Sequence, residues 1–363
     1  MSPRHDAVAA VRAELADVFA RRPLGEDAPA SFHLMWDRLR EQTDGGKLVR
    51  PRLVDLGYRT AAADPGSPRP RSVARLGAAF ELLHAALIVH DDVIDRDMVR
   101  RGRPTVAELY RREAAQAGAP AGEDAHLGRS AGVIAGDVLL TEAFRLAVTC
   151  AEDPARGAAA ASAVFRAATA AAAGELEDVL FTLHRHAGEH PPTERILTME
   201  RLKTAGYTFE EPLRAGALLA GAAPAHADAL AEAGALLGIA YQVIDDVLGT
   251  TGDPERTGKA DDADLREGKA TLITAHGRRD PRVRAALERV TRAERDGADL
   301  AELAEAVHEA REALVAAGSV AHATDVAADL VDRARALLDG LPLGPTERAE
   351  FVATCHHILH REA

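Results

Sequence analysis

Cysteine is nearly absent: the 363 residues contain only Cys150 and Cys355, and no CxxC. That excludes a disulfide framework and a cysteine-rich metal or redox site. Aromatic residues make up 4% of the chain, with a single Trp. With so few aromatics and so much alanine, the composition favours helix over sheet. No uninterrupted apolar run reaches the roughly 18 residues expected of a membrane span. No apolar signal segment follows Met1; Arg4, Asp6, Arg12 and Glu14 stand there instead. Positive charge is in deficit, 44 Lys+Arg against 57 Asp+Glu for a net charge of −13. This balance argues against a nucleic-acid binder or an anionic-membrane binder. The expectation is a reduced, soluble, cytoplasmic protein with no membrane span.

What is abundant is helical periodicity. In 73–95 the apolar residues Val73, Leu76, Phe80, Leu83, Leu87 and Ile94 recur at threes, fours and sevens. Comparable spacing runs through 130–150, 157–183, 193–222, 226–250, 299–318 and 320–339, and no useful alternating strand pattern is present. Clusters of Pro, Gly and polar residues at 63–71, 116–124, 186–193, 252–262, 277–281 and 340–346 separate the segments. None is long enough to read as an interdomain linker. The pattern predicts one all-α domain over 1–363 with about a dozen helices.

Chemistry enters with His90-Asp91-Asp92-Val93-Ile94-Asp95. On a helix Asp91 and Asp95 share a face, where two carboxylates repel unless a cation lies between them. Hard carboxylate oxygens suit Mg²⁺, which keeps part of its shell for water and phosphate. A solvated acidic helix end would account for one such motif equally well. A second acidic pair, Asp245-Asp246, lies in another apolar helix pattern before a polar loop with Gly252, Pro254 and Gly258. If the two helices face each other, they form a cage for metal ions bridged by a polyphosphate. Cations accompany both: Lys47 and Arg50 at a helix start, Arg100 and Arg101 after the first motif, and Lys203, Lys259 and Lys269 in the later segments. Any one of them could be an ordinary surface charge; their repeated association with the acidic pairs in a net-acidic chain points to a diphosphate ligand.

The residues carrying this pattern are GGKLVRP at 45–51, ELLHAALIVHDDVIDRDMVRRGRPT at 81–105, GDVLLTEAF at 136–144, KTAGYTFEEPL at 203–213 and YQVIDDVLGTTGDPERTGKADDADLREGKATL at 241–272. In this order they resemble the trans-isoprenyl diphosphate synthases, the polyprenyl synthetase family, with a motif-bearing core over 45–275. The resemblance implies an isoprenoid-synthase-type helical bundle around a central cavity, a homodimer, and Mg²⁺ as cofactor. It implies condensation of isopentenyl diphosphate with an allylic diphosphate. Asp91, Asp95 and Asp245 would bind metal, with Asp92 and Asp246 in support. Arg100, Lys203, Lys259 and Lys269 would hold the allylic diphosphate. Lys47, Arg50, His84 and Arg101 would hold isopentenyl diphosphate, although a core histidine would fit position 84 as well. Thr204 and Gln242 would line the reaction centre.

Departures from the family pattern are Gly249, where the second motif commonly ends in Asp, and Glu175, where many members have Gln. Gly249 also resembles a group of bacterial geranylgeranyl diphosphate synthases. Glu175 is read as a neutral consequence of lineage. Product length would be set by Ala86, Leu87 and Leu83 before the first motif and by Phe144 on another helix. Neither Ala86 nor Leu87 is aromatic, which argues against a dedicated farnesyl enzyme and leaves C20 geranylgeranyl diphosphate as the expectation, with a farnesyl or a longer polyprenyl product as the alternatives. A class I terpene cyclase would need Ser or Thr and then Glu after its Asn/Asp; Gly249 and Asp253 stand there, and a cyclase has no use for an isopentenyl site. A regulatory subunit without catalysis would be expected to lack the acidic ligands. His356, His357 and His360 are expected on a flexible C-terminal segment, and the loop 250–263 is expected to close over bound diphosphates.

Overall fold

The computed structural model describes residues 3–361 apart from Asp44, Pro65, Pro68, 187–189 and 252–262. In chain order the helices are α1 (Pro3–Ala20), α2 (Ala30–Thr43), α3 (Val49–Arg59), α4 (Arg71–Ile94), α5 (Val106–Gln116), α6 (Glu123–Val148), α7 (Pro154–His186) and α8 (Thr193–Glu200). A π-helical segment, Arg201–Glu210, leads into α9 (Glu211–Ala220) and α10 (Pro224–Thr251). Then follow α11 (Ala263–Glu267), α12 (Leu272–Gly277), α13 (Pro281–Asp296), α14 (Leu300–Ala316), α15 (Ser319–Asp339) and α16 (Pro345–Leu359). The fold is all-α, as the periodicity implies. Among the described residues the exception is a two-stranded antiparallel ladder, β1 (Val99–Arg100) against β2 (Arg103–Pro104). Strands of two residues carry no readable alternation.

The chain falls into two compact units, Met1–Ala168 with Glu211–Ala227, and Thr169–Glu210 with Asp228–Ala363. In the first unit α4 packs on α6, α3 and α1. Val73, Leu76, Phe80 and Leu83 are buried as their spacing predicts, each contributing about 1.5–3 kcal/mol by leaving water. Ile94 departs from that pattern and is 43% exposed, because α4 ends there and its apolar face ends with it. The helix stops at Asp95, whose backbone N–H donates to the Asp91 carbonyl at 2.8 Å. α5 begins at a Thr105 cap whose hydroxyl accepts from the Glu108 N–H, and it packs along α6. In the second unit α13 packs on α14, while α12 contacts α8, α14 and α15.

One sequence expectation is set beside a further measure here, and a second is corrected. Averaged over 18 residues, α4 and α10 have mean hydropathies of 1.5 and 1.3 and are long and apolar enough to cross a membrane. Scattered polar residues interrupt their apolar runs, so no uninterrupted run reaches that length, while the mean over 18 residues stays high. More than half of each stretch is buried inside the fold. The C-terminal histidines lie on a regular helix instead of a flexible segment: His356 and His357 belong to α16, and the His356 and His360 rings stack with centroids 4.1 Å apart.

Candidate active site

In the first unit the acidic motif occupies the last turn of α4. Asp91 and Asp92 are adjacent in sequence but roughly a hundred degrees apart around the helix, and the structure gives them opposite environments. The Asp92 side chain is buried, whereas that of Asp91 is 27% exposed. Arg100 returns to both. The spacing from the motif reads as one and a half helical turns, but Arg100 stands on β1, and the hairpin, turning through Arg101 and Gly102 at positive φ, folds it back onto the motif. Its guanidinium bonds Asp92, lies 3.3 Å from Asp91 and 3.1 Å from Asp97. Burial raises the Asp92 carboxyl to about 6, with Arg100 pulling it back and Asp97 and Asp91 adding to the rise.

A cationic cluster adjoins this turn. Desolvation pushes the His84 imidazole well below its usual value, and the charges of Arg50, Arg101 and Arg100 push it further. His84 is therefore a neutral ring among guanidiniums at neutral pH. Arg50 also faces Glu81, 3.8 Å away, whose carboxyl is raised by burial. Lys47 is exposed just ahead of α3, on a backbone bent by Gly45 and Gly46 at φ of 106° and 82° and by Leu48 at 49°. Such left-handed angles carry little strain only at glycine, so GG before Lys47 has a geometric reason. Of the proposed chain-length residues, Ala86 and Leu83 are fully buried, and Leu87 is half-buried. Phe144 is half-buried, its ring edge-on to Phe165 with centroids 5.0 Å apart.

In the second unit Lys203 and Thr204 lie on the π-helical segment, a form that marks functional sites more often than chance and that periodicity did not reveal. Lys203 Nζ sits 2.7 Å from Asp178 and 3.0 Å from Glu175 on α7. Glu175, read from sequence as neutral, is thus a partner of a candidate diphosphate ligand. On α10 the second acidic pair repeats the division seen on α4: Asp245 is 39% exposed and Asp246 is buried. Gln242, one turn earlier, donates to Asp246 at 2.8 Å. Burial holds the Asp246 carboxyl well above its usual range, Asp264 and Asp245 raise it further, and Gln242 and Lys269 oppose the rise. Lys269 is 3.1 Å from Glu267 and 3.7 Å from Asp264.

Two residues here were not foreseen. Glu200, at the end of α8, is 2% exposed, and neither carboxyl oxygen finds a hydrogen-bond partner among the described residues. Burial, then Asp246 and Asp178, lift its carboxyl well above the usual range. Arg361, just past α16, lies 2.9 Å from Asp245 and 4.3 Å from the Tyr241 ring centroid. Neither residue belongs to a recognisable motif, and only packing brings them to α10. Lys259 and most of the loop 250–263 lie outside the described residues.

The donor chemistry suits Mg²⁺: each acidic helix offers a half-exposed carboxylate, backed by a buried one. Among the described residues no three Asp, Glu, His or Cys side chains gather tightly enough to enclose a cation.

A family model described as "Polyprenyl synthetase" matches residues 36–310. The chain belongs to the polyprenyl synthetase family. A (2E,6E)-farnesyl diphosphate synthase of Mycobacterium tuberculosis is 34% identical over 254 residues, covering 68% of this chain and 63% of its own. A geranylgeranyl diphosphate synthase of Methanosarcina mazei is 33% identical over 229 residues, covering 63% of this chain and 62% of its own. The match therefore spans just under two thirds of either relative. A crystal structure of a geranylgeranyl pyrophosphate synthase from Corynebacterium glutamicum, complexed with isoprenyl diphosphate and magnesium, superposes with a TM-score of 0.85 at 29% identity, over 98% of both chains.

Proposed function

We propose that this chain is a Mg²⁺-dependent trans-prenyltransferase that condenses isopentenyl diphosphate with an allylic diphosphate, yielding geranylgeranyl diphosphate. One observation carries the reading: both acidic pairs present a half-exposed first Asp and a buried, hydrogen-bonded second Asp, the first pair bonded to Arg100 and the second under the charge of Lys269. Asp91 and Asp95 would hold Mg²⁺, and Asp245 would hold a further Mg²⁺. When bound, the ion neutralises charge on the departing diphosphate. Asp92 and Asp246 would fix the geometry of the turns that carry these ligands.

Arg100, Lys203 and Lys269 would bind the allylic diphosphate and stabilise it as the C1–O bond ionises, the bond pair going to the diphosphate. Lys47, Arg50 and Arg101 would hold isopentenyl diphosphate, and His84, being neutral, would orient it by hydrogen bonding without adding charge. Thr204 and Gln242 would position the reacting carbons as the isopentenyl double bond attacks C1. The proton then lost from the isopentenyl unit goes to the released diphosphate, so no side-chain nucleophile is required. The whole chain would work as one catalytic domain, in the cytoplasm.

A homodimer is part of this reading. α6 buries one apolar face against α4 and α5, yet Leu127, Val133, Ile134 and Val148 on it remain about half exposed. Leu127, Ile134 and Val148 recur at multiples of seven, the spacing of a helix-to-helix seam.

Purified protein incubated with isopentenyl diphosphate, Mg²⁺ and C5, C10 or C15 allylic primers, with products sized by mass spectrometry, tests the proposal. A C20 diphosphate supports it, and a C15 or longer product would revise the chain length alone. Cyclised hydrocarbon formed without isopentenyl diphosphate would make the chain a cyclase. No product with any primer would leave it a non-catalytic subunit.

A further inference from the structure

The two acidic motifs carry different counter-ions. Arg100 is fastened to three carboxylates, Asp91, Asp92 and Asp97, by directed hydrogen bonds. Among the described residues Arg361 faces a single carboxylate: its Nη1 is 2.9 Å from Asp245 Oδ1. That nitrogen is buried but makes no aligned hydrogen bond among the described residues. The contact is thus one of charge against charge without a directed N–H···O bond. A second hold comes from Tyr241, over whose ring the guanidinium lies at 4.3 Å. Tyr241 and Asp245 are one turn apart on α10 and share a face, and Phe209 backs the Tyr241 ring with centroids 5.4 Å apart. One guanidinium therefore covers the face of α10 from which Asp245 points.

We propose that Arg361 is a removable counter-ion that occupies Asp245 until a divalent cation takes its place, and so sets how readily the second acidic motif loads metal. The inference rests on the reading of Asp245 as a metal ligand. Physical chemistry favours the exchange. A single charge held without a directed hydrogen bond gives way to a doubly charged hard ion that bonds the carboxylate oxygen directly. The aromatic face of Tyr241 gives Arg361 a seat that does not depend on Asp245. Arg361 is a positioning residue in this scheme, acting through the carboxylate it covers.

The test is Mn²⁺ binding to the full chain, followed by the electron paramagnetic resonance signal of the free ion, with and without saturating inorganic pyrophosphate. Wild type, Arg361→Gln, Arg361→Lys and Asp245→Asn are compared, with circular dichroism to establish folding. Arg361→Gln should tighten one Mn²⁺ site by roughly three- to tenfold, the size of a half-exposed ion pair with a cation–π contact. Arg361→Lys should fall in between, and Asp245→Asn should remove that site. If Asp245→Asn removes a site but Arg361→Gln binds Mn²⁺ as wild type does, the counter-ion role is overturned while the metal reading stands. If Asp245→Asn loses no site, the metal reading itself fails and this proposal falls with it.

Discussion

Gly174 on α7 lies so close to Lys203 that a Cβ at position 174 would stand 2.2 Å from the Lys203 backbone nitrogen. A hydrogen at 174 is therefore the condition for seating the π-helical segment on α7, and with it for the pairing of Lys203 with Glu175 and Asp178. Gly174→Ala forces two backbones apart and should cost about 1–3 kcal/mol, as overpacking usually does. Thermal unfolding would show the loss. Steady-state kinetics should show a raised KM for the allylic diphosphate, since Lys203 moves with its segment.

Glu175→Gln removes the negative charge 3.0 Å from Lys203 and leaves that of Asp178 at 2.7 Å. The Lys203 charge is then less compensated, and diphosphate should bind it more tightly. Inhibition by inorganic pyrophosphate should strengthen by roughly three- to tenfold, in line with the loss of one charged partner. An unchanged inhibition constant would return Glu175 to the neutral role its sequence suggested.

Replacing the exposed member of either acidic pair, by Asp91→Ala or Asp245→Ala, should lower kcat by at least roughly a hundredfold. The fold should persist, because neither side chain is buried. Chelation of divalent ions should produce the same loss in the wild type, and added Mg²⁺ should restore activity. Activity retained in either variant would contradict the assignment of metal ligands.

The chain-length residues differ in the room around them. Ala86 is fully buried and Leu87 is half-buried. Ala86→Phe should therefore unfold or destabilise the protein, whereas Leu87→Phe should be tolerated and shift the product from C20 towards C15. Mass spectrometry of the products, beside thermal unfolding of both variants, separates the two outcomes.

Glu108 supplies a pH test away from the reaction. Hydrogen bonds from Arg111 and then Arg112, against the cost of desolvation, hold its carboxyl down to about 2 from an ordinary 4.5. A depressed carboxyl stabilises the fold at pH above its unfolded value and loses that contribution as pH falls through its folded value. The melting temperature of wild type should exceed that of Glu108→Gln by a constant margin above about pH 5, and the margin should shrink steadily as pH falls from there towards about 2. A margin that persisted there would remove Glu108 from the account of acid stability.

Much of the protein was determined by its sequence alone. Local propensity and period make α4 and α10 helices whatever they touch. Asp91 and Asp245 are legible because paired acids inside an apolar helix are costly unless a cation neutralises them. Other features required the tertiary structure. Only burial separates Asp91 from Asp92 and Asp245 from Asp246, since adjacent residues of one type carry no mark of which way they face. The return of Arg100 to the first motif depends on a hairpin too short to show a pattern. The contacts of Glu175 with Lys203 and of Arg361 with Asp245, and the electrostatic influence of Asp246 on Glu200, join residues distant in sequence. Coulombic and desolvation energies depend on separation and environment in space, and those are properties of the packed chain.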